Sequence, residues 1–581
     1  MKLKKNAPYL LIIISLVIYS CGNNNANQEA NTTSTDSLQI GHNNNNFYLN
    51  EIDHYLTLYP HSITDLVSAN IAYQIYEGLV GFNPKDLNIV PAIAEKWDID
   101  ETGTVYTFKL KKGVKFQDDP CFEGGKGREV TANDFKYSFT LLCTQSPDNR
   151  VFNSSFKGRV VGADSYFEAS AKGKPSFELE GVKVKDDYTL EITLLQHDQS
   201  FLNILATIYG SVLPKEGVEK YGNTLKIGTG AFILKEPSNA SEVVYLVKNN
   251  NYHRKDKEGK KLPYIDTVVV SFLPTKQAEL EMFKKQELDY VYGLPSESVN
   301  ELVEEQIKNF QKNPAKFILN RLPDMSSNYY EFNILVKPFD NVKVRKAFNY
   351  AIDREKLVTE TLNDQAFGPA VNGITSPTFK DYKTTEIRGY TFDVAKAKKL
   401  LAEAGYPDGK GFPTIRMQFN GNNSKNTNVA IEIQKQLFTN LNVNVDLNNV
   451  SFATGIENAL KSEKANMTKT SWVADYPNPE NFLFNFYGKN VPESKEANSF
   501  PNSTRYQNIA FDRLFEQGRK AKNTADAYQN FMKAEQIMID DAPIMPLWYD
   551  ENYRLLNSRV INFYPNAMVY RNFSEVSLKH N

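Results

Sequence analysis

The sequence predicts an α/β protein with more than one domain. The part of the chain after residue 46 has roughly 535 residues, too many for one hydrophobic core, which indicates two or three domains. Two segments, Tyr106–Leu110 and Tyr188–Leu194, alternate apolar and polar residues as half-buried strands do. Thr131–Asp134 reads as a helix-opening capping box, and the apolar residues after it recur on one helical face.

The remaining elements follow in chain order. A first strand is predicted over Phe47–Tyr59, and the helix after it ends near Ile75–Leu79. Gly113–Phe116 continues the alternation of Tyr106–Leu110 and is predicted to be its hairpin partner. A later helix is predicted within Lys337–Arg354, with an apolar stripe over 342–358 toward a core. Another is predicted within Ala395–Gly409, where Gly405 and Pro407 stop it.

The N-terminus carries the features of an export signal. Three lysines precede the apolar run Leu10–Tyr19, and a small residue, Ser20, lies directly before Cys21. This pattern resembles the lipobox of bacterial lipoproteins and predicts a signal peptide over 1–20 and lipidation of Cys21. The alternative is an ordinary signal peptide with an incidental cysteine. Residues 21–46 are almost devoid of apolar side chains, which predicts a flexible tether that holds a soluble domain near a membrane.

Composition argues against several classes of protein. The net charge is −2 with no basic block, so a nucleic-acid-binding surface is not expected. The six histidines are scattered and no zinc pattern is present, so neither a metal nor a cofactor is predicted. Cys121 and Cys143 could form a disulfide in an oxidising compartment, or could equally be one buried and one surface thiol.

The segment Ser471–Phe484 carries the strongest candidate for a binding residue. A short strand is predicted to run up to Asp475 and to end there, because two prolines follow. Flanked by Trp472, Ala474 and Tyr476, the carboxylate of Asp475 loses hydration and needs a cationic or hydrogen-bonding partner. That partner is either a basic side chain of the protein or an amine of a ligand.

An ordered set of motifs resembles one protein family over essentially the whole mature chain. The motifs include Ile75–Leu79, Pro91–Trp97, Gly228–Phe232, Pro263–Asp266, Lys337–Arg354 and Asp540–Trp548. Their order is similar to that in the solute-binding proteins of oligopeptide and dipeptide ABC transporters, extracellular solute-binding family 5. The resemblance implies a periplasmic-binding-protein-like fold (class II, cluster C), in which two lobes close on a ligand beside an extra small domain.

The same resemblance implies domain boundaries. Domain I would be discontinuous, over 47–81, 188–319 and 523–581. Domain II, a small insertion, would span 82–187. Domain III, the far lobe, would span 320–522 and carry Asp475.

Site residues are also implied by the resemblance. In oligopeptide-binding relatives the Asp of a Trp-x-x-Asp motif pairs with the ligand's N-terminal ammonium, and here that motif is Trp472–Asp475. The backbones of Thr64 and Leu66 on one lobe, and of Ser471 and Val473 on the other, would bind the peptide backbone. Dipeptide-binding members place an Arg against the ligand carboxylate, but Gln418–Lys425 contains none, and Lys425 is only a possible substitute. This difference favours a longer peptide, or a ligand with no carboxylate at that place.

The sequence therefore predicts a monomeric binding protein, exported and lipid-anchored to a bacterial membrane, in the periplasm or at the cell surface. It would capture peptides and deliver them to an ABC permease with its ATPase subunits. The alternative is the same scaffold with a non-peptide ligand such as a metal chelate, haem, an opine or an oligosaccharide. A hydrolase is a remote alternative, because the S-x-x-K spacing of Ser154–Lys157 has no accompanying catalytic motif.

Overall fold

The fold is described from a computed structural model over residues 45–295, 298–310, 316–421, 424–462 and 465–579. Elements are numbered in chain order. The strands are β1 (Asn46–Asn50), β2 (Val80–Phe82), β3 (Ile89–Pro91), β4 (Ala94–Ile99), β5 (Val105–Leu110), β6 (Val182–Asp186), β7 (Thr189–Thr193), β8 (Phe232–Lys235), β9 (Val243–Lys248), β10 (Thr267–Ser271), β11 (Tyr290–Tyr292), β12 (Phe317–Phe332), β13 (Gly368–Pro369), β14 (Ile415–Asn420), β15 (Val445–Val450), β16 (Met467–Val473), β17 (Ile544–Asn557), β18 (Val560–Ile561) and β19 (Ser577–Leu578).

The α-helices are distributed among these strands. They are α1 (Leu66–Ile75), α2 (Ala132–Leu142), α3 (Ala163–Ser170), α4 (Phe201–Ala206), α5 (Lys215–Tyr221), α6 (Lys276–Lys284), α7 (Val299–Phe310), α8 (Val342–Ala351), α9 (Arg354–Lys356), α10 (Val394–Glu403), α11 (Ser424–Leu441), α12 (Phe452–Ala459), α13 (Glu480–Leu483), α14 (Ile509–Lys520) and α15 (Thr524–Asp541). The α/β class predicted from the sequence is confirmed.

One large mixed sheet runs through the protein in the order β15-β14-β16-β12-β17-β11-β1-β10-β9-β8, with β13 attached to β17. Its two longest strands, β12 with 16 residues and β17 with 14, pair antiparallel in the middle of this order. Their register shifts between Pro323 and Ser327. A bulge of this kind bends a strand locally.

A second sheet, of four antiparallel strands in the order β4-β5-β7-β6, lies within residues 94–193. The strands predicted over Tyr106–Leu110 and Tyr188–Leu194 are its two central members. The hairpin partner predicted for β5 is wrong: β5 pairs with β4 and β7, and in Gly113–Phe116 only Lys115 makes an isolated bridge, to Glu129. The capping box before α2 is confirmed, because the side chains of Thr131 and Asp134 each accept from the other's backbone N–H.

Several predicted boundaries shift. The first strand ends at Asn50 rather than near Tyr59, because the chain after it turns away from β10. The helices predicted around Val342 and Ala395 are α8 and α10, and α10 ends two residues before Gly405. The strand predicted to reach Asp475 is β16, which ends at Val473.

Buried apolar residues form separate clusters. One cluster gathers side chains between Phe47 and Val270 with the C-terminal segment. Two others, built mainly from residues 329–548, pack around α8 and α11 and around α14 and α15. This division suits two lobes, while the domain boundaries near 82, 187, 320 and 522 stay predictions.

Cys121 and Cys143 are free thiols, so the disulfide considered from the sequence is not formed. Cys143 is fully buried at the end of α2, and Cys121 is partly exposed in a turn whose backbone is held by Asp119. The structure thus has the alternative of one buried thiol and one partly exposed one. The signal peptide, Cys21 and most of the tether lie outside the described residues. Within those residues, none of the helices is both long and apolar enough to cross a membrane.

Candidate functional site

The edge of β16 is the backbone feature around which the candidate site is built. On one side β16 pairs antiparallel with β12 along its whole length. On the other side β14 pairs with it only at Met467 and Thr468. Beyond Thr468, the second edge of β16 is therefore not covered by β14.

The register decides which backbone groups face that open edge. Ala474 N–H donates to Met325 O, and Asn333 N–H donates to Asn466 O, so the even-numbered residues of this segment bond toward β12. In an antiparallel ladder alternate residues point their N–H and C=O groups the other way. Ser471 and Val473, two of the residues predicted from the sequence, thus direct their backbone groups to the edge that β14 leaves open.

Asp475 lies just beyond the end of this edge. Its Oδ2 accepts from the hydroxyl of Tyr209 and the Nδ2 of Asn481, both at 3.5 Å. Among the described residues no Lys, Arg or His forms an ion pair with it. Burial raises the pKa of Asp475 to about 6, although the two hydrogen bonds act in the opposite direction. A cation stabilises a carboxylate of this kind, and within the described residues no side chain supplies one.

Asn481 organises the Trp472–Asp475 segment and was not predicted from the sequence. Its Oδ1 accepts from the indole Nε1 of Trp472 at 2.8 Å and from the backbone N–H of Asp475 at 3.0 Å. A single amide therefore fixes both motif residues. The available signal was its position one turn after the two prolines, which place α13 against the end of β16.

Two lysines lie at the opposite end of the open edge. Lys469 Nζ donates to Asn328 Oδ1 at 2.8 Å and lies 5.0 Å from the ring centroid of Trp548. Lys425, at the start of α11, lies over the same ring at 5.3 Å and donates to Asp550 Oδ1 at 3.2 Å. Asp550 pairs with Lys425, and among the described residues no carboxylate lies within ion-pair distance of Lys469.

The protonation of these groups differs. Burial lowers the pKa of Lys469 to about 7, an effect that Asp550 opposes and the charge of Lys425 reinforces. Burial favours the neutral form of Asp550, but Lys425 and the hydrogen bonds from Trp548, Ser326 and Asn328 together hold its pKa below the usual value. An additional anion would therefore stabilise the charged form of Lys469, whereas Asp550 is already paired with Lys425.

The two ends are separated along one strand. The odd-numbered positions of this segment are Lys469, Ser471, Val473 and Asp475. Their side chains lie on one face of the strand, and their backbone groups point to one edge. Six residues at a strand rise of about 3.3 Å span roughly 20 Å. An open backbone edge with a carboxylate at one end and a cation at the other suits an extended molecule with a positive group and a negative group at its two ends.

The opposite wall of the site comes from the N-terminal part of the chain. Tyr209 contacts Asp475 directly, and burial together with the nearby charge of Asp475 raises the pKa of Tyr73 on α1. Leu66 is the first residue of α1, whose N-cap is Asp65, so the Leu66 N–H is not used within the helix. Thr64 lies half-buried in the loop before the cap. The roles assigned to the Thr64 and Leu66 backbones stay predictions.

Two other kinds of site, a hydrolase centre at the S-x-x-K spacing and a metal site, were considered among the described residues. Lys157 of the S-x-x-K spacing donates its Nζ to the carbonyl of Lys489 at 2.7 Å. Over the described ranges, no group of three or more His, Cys, Asp or Glu side chains is placed to hold a metal ion.

A protein-family model and several known proteins match this chain. The family described as bacterial extracellular solute-binding proteins, family 5 Middle, matches residues 88–493. Heme-binding protein A of Haemophilus influenzae is 28% identical, with 100% of both chains covered. Periplasmic oligopeptide-binding protein OppA of Escherichia coli is 29% identical, with 86% of each chain covered.

A solved structure gives the same result. The crystal structure of a periplasmic oligopeptide-binding protein, OppAIV, from Borrelia burgdorferi is similar with a TM-score of 0.78 and 28% identity, covering 92% of this chain and 100% of that one. The family match covers more than half of the sequence, and the structural match extends over nearly all of it. The chain belongs to the bacterial extracellular solute-binding proteins of family 5.

Proposed function

We propose that this protein is the membrane-tethered substrate-binding protein of an ABC importer and that its ligand is an extended peptide. The observation that carries the proposal is Asp475, a carboxylate with a raised pKa and no basic partner among the described residues, at the end of an open strand edge. An N-terminal ammonium would supply the missing cation. Relatives named as oligopeptide-binding proteins support the same ligand class.

The peptide backbone would add to the edge of β16. Ser471 and Val473 would exchange hydrogen bonds with the ligand's main chain, and Thr64 and Leu66 would contribute from the opposite wall. Binding through groups that every peptide has leaves the side chains free to vary. Trp472, half-buried and held by Asn481, would line the first side-chain position.

The far end of the ligand would lie near Lys469, with Lys425 beside it. An extended chain advances about 3.3–3.6 Å per residue, so about six residues would span the roughly 20 Å between the Lys469 and Asp475 backbones, and four or five would do so where these two side chains reach toward the ligand. The two lysines would hold the C-terminal carboxylate, in place of the Arg of dipeptide-binding relatives. A dipeptide would be too short to reach both ends.

A thermal-shift titration tests this proposal. Protein refolded to remove bound ligand is titrated with a tri- to pentapeptide pool and with the same pool N-acetylated. A ligand that binds only the folded state raises the unfolding midpoint by mass action. We expect the free-amine pool alone to raise it, and Asp475→Asn to lose the difference. If neither pool shifts the midpoint, the peptide assignment is wrong.

The tether and the delivery step are part of the same proposal. Lipidation of Cys21 would keep the protein at the membrane surface, where it would pass its ligand to a permease with ATPase subunits. Mass spectrometry of the N-terminal peptide tests the lipid directly, and an unmodified Cys21 would contradict it. Recovery of bound peptide unaltered after incubation tests the expectation that the protein is not an enzyme.

A second ligand class is supported by one comparison. Heme-binding protein A is as similar over the whole chain as the peptide-binding relatives are. Haem carries two carboxylates, which Lys425 and Lys469 could bind, but it offers no ammonium to Asp475. An absorbance titration with haemin distinguishes the two, since only the haem hypothesis expects a saturable spectral change that Asp475→Asn leaves intact.

A further inference from the structure

A group of buried polar atoms lies on the face of the large sheet that Lys469 does not occupy. Successive side chains of a strand point to opposite faces, so Thr468, Thr470 and Trp472 share the second face of β16. Gln418 of β14 is paired in register with Thr468 and points to the same face. Within the described residues, three buried atoms here have no hydrogen-bond partner: Thr468 Oγ1, Thr470 Oγ1 and Gln418 Nε2. Such atoms are few in native proteins, so three on one face require a physical explanation.

The strands β14 and β16 separate beside these atoms. They are paired at Met467 and Thr468, whereas β14 continues to Asn420 in register with β15. On this face α12 contacts both strands, and the Nδ2 of its Asn458 donates to Gln418 Oε1 at 3.1 Å. None of the residues of α12 is fully buried, so the helix packs loosely over the polar atoms. The space between the strands therefore has a polar lining and an incomplete cover.

The register of a bound peptide would bring one of its side chains to this space. With its ammonium at Asp475 and its carboxylate near Lys469, the peptide runs antiparallel to β16, and directly opposite residues of such a pair point to the same face. With its first side chain beside Trp472, its third side chain lies opposite Thr470. The peptide takes the place beside β16 that β14 leaves, so Gln418 is the next group along the same line and on the same face.

From this arrangement we infer that Thr470 and Gln418 form a subsite that selects a glutamine side chain at the third position of the peptide. The inference rests on the proposed peptide function and adds a sequence preference to it. A primary amide supplies an oxygen that accepts from the Nε2 of Gln418 and two N–H groups that donate to the threonine hydroxyls. A glutamine side chain would therefore provide partners for all three atoms at once.

Other side chains match this set of atoms less well. A carboxylate has no donor, and it would lie near the buried carboxyl group of Glu331, which is directly opposite Thr468 on the same face. A lysine has no acceptor for the Nε2 of Gln418. Methionine has about the length of glutamine but satisfies none of the three atoms, which leaves them buried and unpaired in the complex.

Calorimetric titration with a set of tetrapeptides tests the subsite. The parent peptide has alanine at positions two and three, and each of these positions is replaced in turn by glutamine or methionine, with glutamate as a third substitution at position three. We expect glutamine at position three to bind about three- to fivefold more tightly than methionine or glutamate, because the net gain from a matched hydrogen bond is modest. At position two, whose side chain points to the other face, the ratio of the glutamine to the methionine affinity should stay near one.

Two substitutions in the protein assign the preference to these residues. Thr470→Val keeps the shape of the side chain without its hydroxyl, and Gln418→Met removes the amide, so each should reduce the glutamine-to-methionine ratio at position three toward one. The exposed Thr385→Val is the matched control and should leave the ratio unchanged. The unfolding midpoint of each variant verifies that it is folded.

Two results would overturn the inference and leave the proposed function intact. One is equal affinity of the wild-type protein for the glutamine and methionine peptides, and the other is a preference for glutamine that survives both substitutions. If none of the tetrapeptides binds to the wild-type protein, the peptide assignment is wrong as well. Failure of the subsite is thereby distinguishable from failure of the proposed function.

Discussion

Asp475 illustrates how a single side chain can be costly to the ligand-free protein and favourable to the complex. Its carboxylate has two hydrogen bonds at 3.5 Å and no ion pair within the described residues, so removal from water is poorly compensated. The pKa of Asp475 is raised for the same reason, since burial disfavours the charged form. A ligand ammonium would remove it, and part of the binding free energy would come from this relief.

The first prediction is that Asp475→Asn stabilises the ligand-free protein at neutral pH. Because the folded pKa of about 6 exceeds the ordinary value of 3.8, the stabilisation that comes from protonated Asp475 is complete below about pH 4 and lost as the pH rises through 6. The advantage of the variant should therefore grow from pH 4 to 7, to on the order of 1–2 kcal/mol after allowance for partial exposure. Urea denaturation across this range measures it, with exposed Asp446→Asn as the control. A gap that shrinks as the pH rises would contradict the assignment.

The second prediction concerns Lys469. Peptides with a free C-terminus should bind roughly tenfold or more tightly than the same peptides amidated, because a buried charge-assisted hydrogen bond is worth about 1.5–3 kcal/mol. Lys469→Met should abolish this ratio, and Lys469→Arg should keep most of it. Calorimetric titration of matched tetrapeptides gives the ratio, and exposed Lys461→Met is the control. An unchanged ratio in Lys469→Met would place the carboxylate elsewhere.

The β16 strand shows at the level of an element how backbone geometry can define a site. The backbone groups of its even-numbered residues form hydrogen bonds with β12. Those of its odd-numbered residues face the other edge, where pairing with β14 ends at Thr468. A sheet edge left open in this way is a template for another strand. A bound peptide would cover it in the folded protein, which limits pairing with unrelated chains.

The third prediction follows from that edge. A tetrapeptide N-methylated at an inner amide should bind at least about tenfold more weakly, because a hydrogen bond to Ser471 or Val473 is replaced by a methyl group and a partner on the strand stays unsatisfied. Changing the side chain at the same ligand position should have a smaller effect. Competition against a fluorescent peptide measures both series. Equal affinity of the two backbone forms would exclude strand addition.

Local patterns predicted the elements whose signals lie within a few residues. The capping box before α2 and the apolar stripe of α8 are of this kind. The hairpin partner of β5 was missed because β5 pairs on both sides, with β4 and β7, and pairing is set by long-range packing. Asp475 was proposed from its own neighbours, whereas its contact with Tyr209 and the placement of Lys469 near Asp550 depend on long-range packing, which no short segment encodes.

At the scale of the whole molecule, a buried cluster of charges joins distant parts of the chain. Arg159 donates to Glu480 at 2.7 Å and lies 3.2 Å from Asp198, and Arg519 donates to Asp198 at 2.8 Å. All four side chains are nearly or completely buried. Glu480 directly precedes Asn481, so this cluster also supports the residue that fixes Trp472 and Asp475.

The fourth prediction is that Arg159→Met destabilises the protein by about 3–5 kcal/mol, because removing one partner leaves a buried charge uncompensated. Adding Glu480→Gln should restore part of the loss, since the uncompensated carboxylate is then removed. The control is Lys489→Met, which removes an exposed pair with Glu516 and should cost less than about 1 kcal/mol. A small effect of Arg159→Met would mean that the cluster is not energetically coupled.

The last prediction concerns motion between the two halves of the large sheet. β12 and β17 run through the middle of that sheet with a register shift after Pro323, and the fully buried pair of Asp324 with Arg554 lies at the same place. Two strands with a bulge bend more readily than packed lobes deform, so closure would occur as a hinge there.

Small-angle X-ray scattering tests this motion. The radius of gyration should decrease when a free-amine tetrapeptide is added at saturating concentration. The radius of gyration of the Asp475→Asn variant at the same peptide concentration should stay near the ligand-free value. Without the ammonium pair the ligand favours the closed state over the open state by less, so the population shifts less. A radius that is identical with and without peptide in the wild-type protein, under conditions where calorimetry shows binding, would mean that the site is preformed and that the bulge is a fixed bend.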